Sequence, residues 1–431
     1  MIEKIKEYLK KNVEQYEIYY EDSLTETCEL NKGQIDVFTS GKIKGLGIRV
    51  YNNKRIGFST TTDIQNFKKC CDEAISIAKL NEKDEHFVRF AKPGKYKEDN
   101  YYSKDVINLE AEDMKKYMED AIKMINKNNL KLTSGRYYKS NDSIHILNSE
   151  GVDVVSTDTW NYAYFELLDE KTGVSHYGME GSYDLLGYEK LKELITRLKA
   201  MNVRDTPKTE DMKLILHPEA IADLLDNFFV YNINAENVQN NRSLFINKLN
   251  KEIFSNKLTI IDDGTIEGYK ASSRCDDEGT SRKRILLVDK GILKSYLYNS
   301  YTANKDNVKN TGHASRNYAS IPGIGTTNIL IEKGNKNFTE ILKSVNKGIY
   351  VKRVLGLHTM NSLTGDFSVG ISEGHIIKNG EIKHAVKDTM ISGNVLELLK
   401  NIEEIEDKIH YGGDGYYVPN ILFNKIKVIG K

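Results

Sequence analysis

In the first half of the chain the apolar positions switch between two periods. In "IEKIKEYLKKNV" Ile2, Ile5 and Leu9 fall at helical spacing; "EIYYED", "TCELNKGQIDVFTS" and "GLGIRVYNNKRIGFSTT" then follow a period of two, broken by Lys-Gly and Asn-Asn turns. Side chains change face at every residue of a strand but return to one helical face every three or four, so these stretches predict a helix followed by a strand meander. Helical spacing returns in "TDIQNFKKCCDEAISIAKL", with Ile64, Phe67, Cys71, Ala74, Ile75 and Ala78 on one side. It recurs in "AEDMKKYMEDAIKMINKN", with Met114, Met118, Ala121 and Ile125. Both predict helices that cover a sheet. A second strand group, "SIHILNSEGVDVVSTDTWNYAYFELLDE", holds a Ser-Glu-Gly hairpin turn, and "YEKLKELITRLKAM" closes the region as a helix.

The polar segment "NVRDTPKTED" (202–211) separates two patterned regions and contains one of only five prolines, which places a domain boundary there. A boundary is expected, because one hydrophobic core stops growing at roughly 250–300 residues and the chain has 431. Beyond it the pattern is mostly strand, with hairpin signals at "LLVDKGILKSY" and "HIIKNGEIKH" and helices at "PEAIADLLDNFF", "NFTEILKSVNKG" and "GNVLELLKNIEE". Regular strand–helix alternation is missing, so the fold class is α+β in both halves. The expected domains are residues 1–201, an N-terminal α+β domain with a meander sheet and helices, and 212–431, a strand-rich C-terminal domain.

Charge changes this picture by exclusion. The 62 basic and 62 acidic residues cancel and are interspersed, so no long-range field attracts a nucleic-acid backbone or an anionic membrane. The densest basic run, "SRKR" (281–284), is shorter than a backbone binder needs. No stretch reads as a transmembrane span or a secretory signal, and the expected location is the cytoplasm. Cys28, Cys70, Cys71 and Cys275 are scattered, without a CxxC motif or a disulfide framework, and read as reduced, partly buried thiols.

Simple chemical motifs are missing. No two of the nine histidines lie within five positions of each other, so the usual one-helix zinc pair is excluded. His217, before Pro218 and Glu219, reads as a neighbour of a helix cap. "PGIGTTN" (322–328) lacks the Lys-Ser/Thr of a phosphate loop, and Ser368 in "GDFSVG" has Asp366 where a nucleophile elbow needs glycine. The run Asp276, Asp277, Glu278, Gly279 offers hard oxygens to a divalent cation, yet its spacing is not that of a calcium loop. On residue types the leading reading is a turn that launches a strand pair.

Three loops rich in Gly, Asn, Thr and Asp remain: "IDDGTIEGYKASSRCDDEGTSRKRILLVDKGILKSYLYNSYTA", "TGHASRNYASIPGIGTTNILIEKG" and "GIYVKRVLGLHTMNSLTGDFSVGISEGHIIKNGEIKHAVKDTMISGN". Their order and wording resemble the TldD/PmbA family, and "KGLGIRVYNNKRIGFSTT" resembles its N-terminal domain. The resemblance implies a two-domain α+β protein that pairs through its C-terminal domains around a cavity, and a role in cytoplasmic peptide cleavage. One branch of that family, TldD, holds a catalytic metal with His-Glu-x-x-x-His and a later Cys; the other, PmbA or TldE, lacks them. Anchored on "RSLF" (242–245) and "GGDGYYVP" (412–419), the matching positions are Asp226, Asn227, Tyr231 and Tyr411. One carboxylate, one amide and two phenols are a poor zinc set.

The resemblance therefore implies a PmbA/TldE-like subunit of a metallopeptidase that cleaves short or unfolded peptides. It carries no cofactor of its own, zinc being expected on a TldD-like partner. Pairing is with that subunit as a heterodimer or with a second copy as a homodimer. The alternative is a non-catalytic protein that binds peptides or a regulatory partner, a class to which the family's older naming as a modulator of DNA gyrase belongs. The cavity and peptide-contact candidates are Asp276, Asp277, Glu278, Gly279, Thr280, Thr311, Gly312, Arg316, Asn361, Thr364, Gly365 and Asp366. Gly279 is the residue expected to allow a backbone conformation costly to others.

Overall fold

The computed structural model describes residues 1–31, 34–97 and 101–431; the expected Lys32-Gly33 turn lies outside the described residues. The chain forms two compact units. The first comprises Met1–Lys199 and, from later in the chain, Ser273–Arg282 and Asn299–Gly323; the second comprises Ala200–Ser272, Lys283–Tyr298 and Ile324–Lys431.

The first unit is built on an antiparallel sheet of β1 (Gln15–Asn31), β2 (Gln34–Asn52), β3 (Arg55–Thr61), β4 (Lys131–Asn148), β5 (Asp153–Asp169) and β6 (Val174–Ser182). Their order is β3-β2-β1-β4-β5-β6. Its turns follow local chemistry: Asn53 and Lys54 take left-handed backbone between β2 and β3, and Gly151, at φ +100°, lies between β4 and β5. Helices α1 (Ile2–Asn12), α2 (Phe67–Leu80), α3 (Lys104–Ile107), α4 (Ala111–Lys127) and α5 (Glu189–Ala200) accompany the sheet, with a short helix, Ser300–Lys305, from the later segment. Ile5 and Leu9 of α1 and Cys70, Cys71, Ala74 and Ala78 of α2 share one core with Ile18, Leu46, Ile48 and Val50 of the sheet. All four apolar positions expected on α4 are buried. The four cysteines are buried thiols.

β1 and β2 are longer than the alternating pattern predicts. They pair from Gln15↔Tyr51 to Asn31↔Gln34, with one register shift between Glu29 and Leu30, running through exposed stretches such as Gly41–Lys44. Hydrogen bonds along a hairpin do not depend on a buried face, so pairing extends past the residues that pack.

In the second unit, Lys347–Leu355 pairs with both Glu210–Leu216 and Asp366–Lys378. With Ile421–Ile429 and Met390–Asn394 between them, these strands close on themselves as a small barrel. A second sheet runs in the order Ile292–Leu293, Arg284–Asp289, Ile260–Asp263, Ile329–Ile331, Tyr416–Val418, His410–Gly413. The two expected hairpins form with left-handed turn residues, Lys290-Gly291 and Asn379-Gly380. Helix α6 (Pro218–Leu224) is capped by His217 itself, whose Nδ1 accepts the Glu219 N–H at 3.2 Å. The helix expected over "PEAIADLLDNFF" changes type part-way: Leu225–Val230 is a π-helical turn. Among the described residues no helix is long and apolar enough to cross a membrane. The fold is thus mixed α+β with a strand-rich C-terminal half.

Candidate functional site

The candidate residues fall into two groups, one in each unit. In the first unit Asp276–Thr280 is a tight turn. Asp276 N–H donates to the Thr280 carbonyl at 2.9 Å and Gly279 N–H to the Asp276 carbonyl at 2.9 Å. Gly279 sits at φ +82°, and a side chain there would meet Val152 at 2.4 Å, so both backbone and space require glycine. The Asp276 carboxylate closes the turn: Oδ1 accepts the Glu278 and Thr280 N–H groups at 3.0 and 2.8 Å, and Oδ2 accepts Ala314 N–H at 3.0 Å. Asp277 Oδ2 accepts Arg316 N–H at 2.9 Å and its carbonyl accepts Arg316 Nε at 3.0 Å. Asn310 joins the two segments, donating to Thr280 Oγ1 at 3.1 Å and accepting Gly312 N–H at 2.8 Å. Thr311 Oγ1 lies 2.9 Å from His313 Nδ1. The three neighbouring carboxylates engage three different sets of partners, which answers the sequence ambiguity in favour of a turn: Cys275 and Ser281 bridge in antiparallel fashion across it.

Beneath this turn lies a buried charge network that joins four distant parts of the sequence. Arg49 holds Glu17 through two parallel bonds of 2.8 Å, and its Nη2 also reaches Glu278 Oε1 at 3.1 Å. Arg316 Nη2 also pairs with Glu17 Oε1. Glu278 Oε2 accepts Ser300 N–H at 2.8 Å. The Arg316 guanidinium lies 4.4 Å from the centre of the Tyr19 ring and that of Arg49 lies 5.1 Å from Phe90. Glu17 and Glu278 are almost fully buried. Burial pushes the Glu17 carboxyl up, but Arg316 and Arg49 outweigh it and hold the group below the ordinary carboxylate range. Asp276 has no such pairing; burial first, and then the neighbouring Glu278, push it up to about 7. Asp277 is raised as well, chiefly by burial.

The sequence "GLG" (45–47) explains how the loop approaches the sheet. Side chains at Gly45 and Gly47 would lie 2.1 Å from the Tyr318 ring and 2.4 Å from its carbonyl, so their absence lets Arg316–Tyr318 lie flat on β2.

In the second unit the remaining candidates gather around the π-helical turn, a geometry often found at functional sites. Asp226 and Asn227 lie in this turn and Tyr231 directly follows it. Gly365 packs on the Phe228 ring of the turn, and Asn232 Nδ2 donates to the Ser362 carbonyl at 2.8 Å, which fixes the 361–366 loop beside it. That loop is self-bonded: Asn361 Oδ1 accepts the Leu363 and Thr364 N–H groups at 3.0 and 3.1 Å, and Thr364 donates to Asp366 Oδ2 at 2.8 Å. Asn394 donates to Asp366 Oδ1 at 2.8 Å; with Thr364 it holds this exposed carboxyl below its usual value. Tyr411 lies in the hairpin of His410–Gly413 and Tyr416–Val418, whose Gly412 rests against Pro218.

The residues at the four positions of Asp226, Asn227, Tyr231 and Tyr411 do not fit a catalytic metal. Tyr416 donates its hydroxyl to Asp226 Oδ1 at 2.7 Å, and Asn227 donates to the Asp223 carbonyl at 2.9 Å. Tyr411 lies beside Tyr417 and has the Lys270 ammonium 4.3 Å from its ring centre. Burial, and then Asp414, push the Tyr411 phenol well up, so it stays protonated at neutral pH and is a weak donor to a cation. Among the described residues no group of three or more His, Cys, Asp or Glu is placed to hold a metal ion.

Comparison with known proteins places this geometry. Residues 209–430 match the model of the PmbA/TldA metallopeptidase C-terminal domain, more than half of the chain. The chain belongs to the PmbA/TldD family. Residues 16–78 match domain 1 of the same metallopeptidase group and 98–202 its central domain. Among relatives, the uncharacterized protein MJ0231 of Methanocaldococcus jannaschii is 32% identical over 91% of both chains. The metalloprotease MJ0996 of the same organism is 28% identical over 91% of both. The crystal structure of TldE from Thermococcus kodakarensis shares the fold, with a TM-score of 0.91 at 24% identity and full coverage of both chains.

Sequence reasoning did not find Glu17, Arg49 or Tyr318. Only "GLG" hinted at them, as two glycines in a strand mark a place where another backbone approaches closely.

Proposed function

We propose that this chain is the PmbA/TldE-type, metal-free subunit of a metallopeptidase acting on short or unfolded peptides in the cytoplasm. One observation carries the reading: the positions matching the family's metal ligands hold Asp226, Asn227, Tyr231 and Tyr411, with Asp226 and Asn227 already engaged by protein partners and Tyr411 kept protonated by burial. The metal and the general base then reside on a TldD-like partner. This chain contributes walls to a shared cavity, and of the candidate segments the loop Asn361–Asp366, where Asn361, Thr364 and Asp366 are exposed, is the peptide-facing one; Asp276–Thr280 and Thr311–Arg316 hold each other by internal bonds and serve as support. Peptides are held by main-chain hydrogen bonds to Gly-, Thr- and Asn-rich backbone, a mode with little side-chain demand. The names of relatives as metalloproteases support the peptide-cleaving part of this reading. Elemental analysis of the chain purified without chelator tests the metal-free assignment. The expected result is no stoichiometric zinc; about one zinc per chain, lost when Asp226 or Tyr411 is changed, would overturn it.

A further inference from the structure

The distal half of β2 is an exposed strand edge. β3 pairs only with Leu46–Asn52, so from Val37 to Gly45 the strand has β1 on one side and, among the described residues, no strand on the other. Residues 37–44 are all exposed, including Val37 at 42%, Phe38 at 42% and Ile43 at 44%. A strand edge with unpaired N–H and C=O groups and apolar side chains is a template for another strand, and proteins that keep such an edge free usually shorten it or bury it. Here only Lys42 and Lys44 interrupt it, and both lie within 4 Å of Asp22 on the neighbouring strand.

We infer that this edge pairs with the same edge of a second copy of the chain, antiparallel, with the two-fold axis at Ser40. The register follows from the sequence V-F-T-S-G-K-I (37–43). Centred on Ser40, Val37 of each copy faces Ile43 of the other, Thr39 faces Gly41, and Lys42 faces Phe38, so apolar meets apolar and no lysine opposes a lysine. Moving the axis to Lys42 sets the two Lys42 ammonium groups opposite each other, and moving it to Ile43 sets Lys42 against Lys44. Directly opposed like charges destabilise a strand pair, whereas apolar pairs support it. An even register also matters for the layers: paired residues share a face, so the helical layers of both copies stay on one side of the joined sheet and the faces that carry Arg316–Tyr318 on the other. A seven-residue pairing belongs to the small interface class, below about 1,200 Å², so the dimer is reversible and concentration-dependent. The surface is separate from the C-terminal pairing that the family resemblance implies, and it does not rest on the proposed function.

Cysteine crosslinking in the full chain tests the register directly. Opposed Cβ atoms in an antiparallel pair lie about 4.5–5.5 Å apart, within reach of a disulfide. Under mild oxidation S40C crosslinks to itself and a mixture of V37C with I43C forms mixed dimers, while L80C, at a residue 86% exposed on α2, serves as the background control. Sedimentation of charge variants gives an independent readout. V37K/I43K weakens the dimer at least about tenfold, and V37E/I43K, which sets opposite charges across the axis, restores it to within about threefold of the natural chain. The inference is overturned if the chain stays monomeric at high concentration with S40C no faster than L80C, or if a dimer persists unchanged in V37K/I43K. It is also overturned if amide protection at residues 37–43 appears only on adding an unstructured peptide and is insensitive to chain concentration, which would assign the edge to peptide capture.

Discussion

Replacing Arg49 by methionine removes the centre of the buried charge network while keeping most of its volume. Arg49 contributes two 2.8 Å bonds to Glu17 and one of 3.1 Å to Glu278, and both carboxylates are buried. Removing one member of a buried ion pair costs about 3–5 kcal/mol, because the remaining charge stays desolvated. Two compensations limit the loss here: Glu17 keeps Arg316, and Glu278 keeps the Ser300 N–H. The lower end, about 3 kcal/mol, is therefore expected. The single tryptophan, Trp160, lies on β5 in the same unit, so its fluorescence follows unfolding of that unit. With a urea slope of about 2–3 kcal/mol per molar, R49M lowers the Trp160 midpoint by about 1 M or more. The double variant E17Q/R49M loses less than the sum of the two single changes, since the groups share partners. A shift below about 0.3 M for R49M, the size expected of an exposed pair worth under 1 kcal/mol, would refute the role given to this network.

Other perturbations test the turn above it. G279A forces a side chain onto Val152 at a φ of +82°, and the cost is about 1–3 kcal/mol in the same fluorescence assay; an unchanged midpoint would contradict the turn geometry. D276N addresses titration. The folded Asp276 carboxyl is raised to about 7, above its unfolded value near 3.9, so it binds its proton more tightly when folded. Its contribution is present in full below about pH 4 and is lost as the pH climbs through about 7. D276N removes this downward slope between those limits, and a stability profile in which the slope persists would show that another group produces it.

What was legible in the sequence was local. The apolar stripe Met114, Met118, Ala121, Ile125 of α4 and the Lys-Gly and Asn-Gly turns of the C-terminal hairpins depend on neighbours a few residues away, and they fold as the pattern predicts, while the expected Asn-Asn turn falls one residue later, at Asn53-Lys54. The full length of the β1–β2 pairing was less visible, because its middle stretches are exposed and its register shifts between Glu29 and Leu30. Nothing local marks Ser273–Arg282 and Asn299–Gly323 as parts of the first unit, nor links Glu17 to Arg316 across the length of the chain. Side chains that meet over such separations leave no period to read. The π-helical turn at Leu225–Val230 was hidden for a different reason: its residues suit an α-helix equally well. The family wording of the loops singled out these segments, but their self-bonded geometry, such as the three separate sets of partners of Asp276, Asp277 and Glu278, is visible only in the fold.

The central claim is that this chain supplies part of a peptidase whose metal lies on another subunit. Its most direct test is a mixing experiment with a TldD-like protein that retains His-Glu-x-x-x-His. Each chain is purified alone, the two are combined, and hydrolysis of an unstructured peptide is followed with and without chelator, alongside size-exclusion chromatography. An obligate interface of this kind buries on the order of 2,000 Å² or more, so the mixture is expected to co-elute and to show chelator-sensitive cleavage that this chain alone lacks. Cleavage by this chain alone at the rate of the mixture, or a mixture that stays unassociated and inactive, would contradict the account.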